Sequence, residues 1–198
     1  MQDGRRSRSP YLFPEFMTGT LFYQSAPSKD AKLNYHTLGE EMILEHRNLK
    51  VPINDMEGLD SIHLDDRTFI RREGKFFELL ISHPDELVVQ HRSSSQLEAR
   101  TGAYGSKSHT SQIVTMLDEV RQPDFYDLEW KGEYEIVNRM AFWLRQDGAP
   151  QKASNLKQIG QIFPEKKKAL RKFAAEHKID FLKPEDVKKL VLFCLEQV

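Results

Sequence analysis

Short apolar and polar stretches alternate from Gly19 to about residue 91. Ala31, Leu33 and Tyr35 alternate with polar neighbours, and this two-residue period is typical of a strand with one buried face. Turn residues separate such stretches at intervals of about 8–12 residues, which predicts an antiparallel meander, sandwich or partly open barrel. No amphipathic run of helical length interrupts them, so parallel βαβ units are not expected.

Two segments of residues 1–152 lack this pattern. Residues 1–18 contain Ser9-Pro10 and Phe13-Pro14 without any period, and we expect an extended N-terminal arm there. Residues 92–112 are rich in Ser and Gly and predict a long polar loop inside the β domain, which we place at residues 19–152. After the loop, strand signals return at 113–117, 134–137 and 140–144.

Residues 153–198 have a helical period instead. Ser154 or Asn155 is placed to cap a first helix, and Pro164 suits the first turn of a second. The last helix has one apolar stripe with the spacing i, i+3, i+4, i+7, i+8, formed by Val187, Leu190, Val191, Cys194 and Leu195. Strands followed by helices predict an α+β fold, with a small helical subdomain packed on the β domain.

The composition narrows the class of protein. The chain has 198 residues, a net charge of −1 and a single cysteine, which excludes an internal disulfide and a multi-thiolate zinc site. No apolar run is long enough for a membrane-spanning helix. The balanced charge does not favour a nucleic-acid partner. The helical end is nevertheless basic, since ten Lys and Arg face six Asp and Glu from Asn155 onward.

No sequence motif indicates catalysis. The histidines do not form HExxH, and there is no G-x-S-x-G, Walker A or dinucleotide-binding pattern. We therefore predict no catalytic residue, metal ligand or cofactor. Cys194 lies on the apolar stripe of the last helix and is expected to be buried. His36 alternates with an apolar face and is expected to point to solvent.

Two alternative functions remain open. One is an enzyme whose site is assembled from dispersed residues, which would need a concave pocket where at least two of them meet. The other is a cytosolic nucleic-acid binder that uses the basic helical face and exposed aromatic residues. The candidates for the dispersed site are His63, His83, His91, Asp66, Glu78 and Asp85.

Several short motifs resemble an exported protein family common in Bacteroidota. They are Phe13-Pro14-Glu15-Phe16, Gly19-Thr20, Leu33-Asn34-Tyr35, Gly39-Glu40-Glu41-Met42-Ile43, Asp66-Arg67-Thr68-Phe69-Ile70, Ala103-Tyr104-Gly105, and Phe163-Pro164-Glu165-Lys166. The resemblance covers most of the chain. It implies a periplasmic or outer-membrane-associated protein whose signal peptide has been removed, so Met1 would not be native. It provides no catalytic residues, and a cytoplasmic location stays open.

The expected function is therefore a non-enzymatic interaction or accessory module of an envelope assembly. Its partner would be another envelope protein or an outer-membrane complex. The residues predicted to contact this partner lie in the polar loop and on the basic helix, and they are Tyr104, Lys107, Lys166, Lys167, Lys168 and Arg171.

Overall fold

The computed structural model describes residues 6–7, 9–53, 57–97, 126 and 134–196. The strands are β1 (Arg6–Ser7), β2 (Met17–Tyr23), β3 (Lys29–His36), β4 (Glu41–His46), β5 (Leu49–Pro52), β6 (Leu59–Leu64), β7 (Arg67–Arg72), β8 (Lys75–Ile81), β9 (Glu86–Leu97), β10 (Tyr134–Arg145) and β11 (Gln151–Lys152). The helices are α1 (Leu156–Ile162), α2 (Lys167–Glu176) and α3 (Pro184–Glu196), and a 3₁₀ turn (Pro164–Lys166) joins α1 to α2. The predicted α+β fold, an antiparallel β domain followed by helices, is confirmed.

The described strands form one antiparallel sheet. Its order is β1-β10-β9-β8-β7-β6-β2-β3-β4-β5, and β11 pairs with β10. Two of the hairpins have two-residue turns with both φ angles positive, Arg47-Asn48 after β4 and Glu73-Gly74 after β7. Turns of this type match the right-handed twist of the strands that they connect. The twist lets the sheet curl.

The sheet is curled, so that the residues that follow β3 contact β9. The Ser93 N–H donates to the Thr37 carbonyl at 3.0 Å, beyond the part of β9 that pairs with β8. The N-terminal arm runs beside the end of β3, where the Leu12 N–H donates to the Tyr35 carbonyl at 2.9 Å. The result is a partly closed barrel built from one sheet, not a sandwich of two sheets.

Two apolar clusters form the main core. One fills the curled part of the sheet and the other lies between the sheet and the helices. The first contains Phe13, Leu21, Leu33, Tyr35, Met42, Ile53, Ile62, Leu64, Phe69 and Phe76. The second includes Leu87, Val89, Phe142 and Leu144 from β9 and β10 with Ile159, Leu170, Val187, Leu190, Val191 and Cys194 from the helices.

α1 and α3 begin as their sequences suggest, whereas Pro164 begins the 3₁₀ turn and α2 begins only at Lys167. The Asn155 side chain accepts from the Gln158 N–H at 2.9 Å and caps α1, whereas Ser154 bonds back to Phe142 of β10. The predicted stripe of α3 faces the core, and Cys194 is buried as expected. No helix in the described ranges is long and apolar enough to cross a membrane.

Three local predictions differ from the structure. Residues 92–97, assigned to a loop, continue β9, because main-chain pairing with β10 does not depend on their small polar side chains. The two strands predicted within 134–144 are one continuous strand. His36 is buried instead of exposed, because the ring of Tyr11 from the arm and the ring of Tyr126 pack on it. The strand predicted at 113–117 and residues 98–112 of the loop lie outside the described residues.

Candidate functional site

The two faces of β9 differ in chemistry. Val89 belongs to the core and His91 contacts the buried Glu78. Val88 and Gln90 are also buried but lie on the other face, as alternation along a strand requires. A groove of about 280 Å³ lies over this outer face. The β7–β8 hairpin, β9, β10 and the segment after β10 line it. The lining residues are Arg72, Glu73, Lys75, Phe77, Glu86, Val88, Gln90, Trp143, Arg145 and Pro150.

The middle of the groove is aromatic. Trp143 lies directly opposite Val88 in the β9–β10 ladder, and Phe77 contributes a second half-buried ring from β8. Lys152 lies over the Trp143 ring, with Nζ 6.0 Å from the ring centroid. The indole N–H of Trp143 is buried and has no hydrogen-bond acceptor among the described residues. The groove therefore combines a flat apolar floor with nearby polar groups.

One carboxylate lies between two cations near Glu86. The Glu86 oxygens are 3.2 Å from the Arg72 guanidinium and 3.6 Å from that of Arg145. Both arginines are more than a third exposed. Two guanidiniums share one carboxylate, so donor groups remain available to a ligand.

A similar arrangement surrounds Glu40. Its oxygens accept from Arg92 Nε at 2.8 Å and from Lys75 Nζ at 3.0 Å, and Gln90 donates to the same carboxylate. Glu40 has φ 57°, a left-handed conformation that is uncommon for a residue with a side chain. The contacts with β8 and β9 hold the residue in that conformation. They also fix Lys75 and Gln90 beside the groove.

The inner face of β9 carries a buried polar cluster. His91 Nε2 lies 2.5 Å from Glu78 Oε2, and Arg67 lies 3.5 Å from the same carboxylate. The Tyr35 hydroxyl donates to the His91 carbonyl at 3.1 Å, and burial raises the pKa of this phenol well above its usual value. His91 and Glu78 are thus one pair from the predicted dispersed set that the fold brings together.

The cavity beside His91 is small. Its volume is about 70 Å³, and its lining includes Tyr11, Thr37, His91, Asn138 and Leu182. Sites that enclose organic ligands usually have volumes of about 300 Å³ or more. The cavity beside the His91–Glu78 pair is therefore much smaller than an ordinary site for an organic substrate.

The other members of the dispersed set lie elsewhere, and Asp66 is exposed in the turn between β6 and β7. His63 packs against the Phe22 ring with centroids 4.5 Å apart. His83 and Asp85 line a larger cavity of about 690 Å³ that is shared with Cys194. Burial raises the pKa of the Cys194 thiol to about 11, so it is not an activated nucleophile. No group of three or more metal-ligating side chains occurs in the described part of the chain.

The basic face of α2 is the second exposed feature. Lys167, Lys168 and Arg171 are exposed. Lys167, Arg171 and Lys157 of α1 line a crevice of about 380 Å³, and Lys168 is outside this lining. None of these four cations has an acidic partner within the described ranges. Lys166 differs from its neighbours, because its ammonium donates to the Cys194 carbonyl and ties the 3₁₀ turn to α3.

Tyr104 and Lys107, the two predicted contact residues in the polar loop, lie outside the described residues and stay predictions. No family model, curated protein or solved structure matches this chain.

The outer groove was not predicted, although two pairs of adjacent aromatic residues indicate it. The pairs are Phe76-Phe77 and Phe142-Trp143. Neighbouring residues of a strand point to opposite faces, so one ring of each pair must leave the core. Phe76 and Phe142 are buried, and Phe77 and Trp143 face the groove.

Proposed function

We propose that the protein is a non-enzymatic interaction module of the cell envelope that binds an acidic partner protein through its basic face. We define the basic face as Lys157, Lys167, Lys168 and Arg171. The observation that carries this proposal is that these four exposed cations have no acidic partner in the described part of the chain.

The chemistry of the basic face suits reversible docking. Leu156 and Leu170 line the crevice between the cations and provide a limited apolar contact. Exposed charges that are complementary across an interface mainly speed association and set specificity. By contrast, Lys172 is paired with Glu176 at 3.8 Å in the same helix, so it is not part of the basic face.

The alternative enzymatic function has two observations in its favour, the His91–Glu78 pair and the larger cavity that His83 and Asp85 both line. A carboxylate that holds an imidazole is a common arrangement for proton transfer. However, the adjoining cavity of about 70 Å³ is much smaller than an ordinary substrate site. The proposed envelope location rests on the sequence resemblance, and comparison with the cytosolic fraction tests it.

The test is affinity capture of partners from envelope and cytosolic fractions of the native organism, followed by mass spectrometry. The bait is the full chain, either unchanged or with Lys167→Glu, Lys168→Glu and Arg171→Glu together. Matched control bait carries Lys29→Glu, Lys32→Glu and Lys183→Glu, which alters three other exposed lysines. Circular dichroism verifies that all three baits are folded.

We expect a discrete acidic envelope protein to be captured by the unchanged and control baits and lost with the basic-face variant. Its capture should weaken as salt is raised, because the contact is between exposed charges. Capture from the cytosolic fraction alone would contradict the envelope location. Equal capture by the basic-face variant would contradict the role of the basic face.

A further inference from the structure

The outer groove has a composition that differs from that of the basic face. Its lining mixes three cations with two carboxylates and one amide around two aromatic rings. Carboxylates beside the cations would weaken the binding of a ligand that carries only negative charge. Donors and acceptors side by side match a ligand whose groups both donate and accept, as hydroxyls do.

We propose that this groove binds a saccharide that carries a carboxylate, a hexuronic acid, with its ring against Trp143 and Phe77. The flat half-buried rings offer an apolar surface that fits the less polar face of a sugar ring. The volume of about 280 Å³ lies just below the usual range for sites that enclose drug-sized ligands. One sugar unit is therefore a better fit than a large cofactor.

The charges around the groove select the acidic sugar over a neutral one. Arg72 and Arg145 are both 40% exposed or more and share the single carboxylate of Glu86. A guanidinium with unused N–H groups binds a carboxylate through two parallel hydrogen bonds. We therefore place the sugar carboxylate at this end of the groove.

The opposite end suits hydroxyl groups. Gln90 and Lys75 line it, and both are held in position by Glu40. Residues 86 and 90 are four apart on one strand, which corresponds to about 13 Å along β9. This length accommodates one sugar ring with its substituents between the two polar ends. The ligand class is thus set by an aromatic middle, a cationic end and a mixed polar end.

The experiment titrates the isotope-labelled protein with D-glucuronate, D-glucose and tetraglutamate, and follows the indole N–H signal of Trp143 by NMR. The Trp143→Leu variant assigns this signal. The ligand comparison uses the unchanged protein, so it does not depend on a variant being folded. Arg145→Gln removes the charge at the proposed carboxylate end, and Arg47→Gln is a matched control at an exposed arginine in the β4–β5 turn.

We expect D-glucuronate to shift the Trp143 signal saturably and to bind about tenfold more tightly than D-glucose, because one charge-assisted pair is added. Arg145→Gln should remove this preference, and Arg47→Gln should retain it. The proposal would be overturned if D-glucuronate gave no saturable shift, if tetraglutamate bound as tightly, or if Arg145→Gln kept the full preference. None of these results depends on the basic face or on capture of a protein partner.

Discussion

His36 should make the stability of the protein depend on pH in a defined window. Its imidazole is fully buried, and burial lowers its pKa from 6.5 to about 4. The Gly39 N–H donates to Nδ1 at 3.0 Å, so the neutral ring carries its proton on Nε2. The folded protein therefore favours the uncharged ring, whereas the unfolded chain takes up a proton near pH 6.5.

The magnitude follows from the two pKa values. Above pH 6.5 both states hold a neutral ring, and the full contribution to stability is present. As the pH falls through the window from 6.5 to 4, the unfolded chain binds the proton first and stability is lost. Each pKa unit corresponds to about 1.4 kcal/mol, so the complete loss is about 3 kcal/mol. Below pH 4 both states are protonated and this contribution no longer changes.

Urea unfolding at a series of pH values measures this loss. Other groups titrate in the same range, so the quantity to compare is the difference between the unchanged protein and His36→Asn, which keeps an acceptor near the position of Nδ1. We expect His36→Asn to be less stable at pH 7, and the difference to shrink by about 3 kcal/mol by pH 4. His46→Asn alters an exposed histidine and should leave the profile unchanged. Parallel profiles for the unchanged protein and His36→Asn between pH 7 and pH 4 would refute the reasoning.

Two further predictions concern buried residues of the core. Tyr35→Phe should lower the free energy of unfolding by about 1–2 kcal/mol, because the buried carbonyl of His91 loses its hydroxyl donor. A urea unfolding curve that matches that of the unchanged protein would contradict this contact. Cys194 should react with a thiol reagent at pH 8 only after unfolding, since the thiol is buried and its pKa is raised to about 11. Rapid reaction of the native protein would show that α3 is open at that position.

The elements whose signals are local could be predicted from the sequence. The alternation around Leu33 and Tyr35 identified β3, although the end of this strand is buried on both faces. The stripe from Val187 to Cys194 identified α3, which buries that face. The cap of α1 could be narrowed to Ser154 or Asn155, and the fold selects Asn155. The length of β9 was not, because Ser93, Ser94 and Ser95 have loop-like side chains although their main chain is paired.

Several contacts around the candidate site could not be predicted, because they join residues that are distant along the chain. The burial of His36 requires Tyr11 and Tyr126, which are distant along the chain. The grouping of Glu40 with Lys75 and Arg92 depends on how far the sheet curls, which periodicity does not determine. The basic run at residues 166–172 was visible, but only packing separates Lys166, which binds a carbonyl of α3, from its exposed neighbours.

The pairing of β9 with β10, which is distant along the chain, affects the order in which the sheet folds. The hairpins from β6 to β9 join neighbours in sequence, whereas the ladder between β9 and β10 must first close over residues 98–133. Non-local pairings of this kind are slow to form, because the loss of chain entropy precedes the gain of contacts. Until β10 arrives, β9 exposes a long unpaired edge that invites association between chains. Three consecutive serines at residues 93–95 place small polar side chains on that edge, which lowers the tendency of the unfinished sheet to aggregate while the ladder is still open.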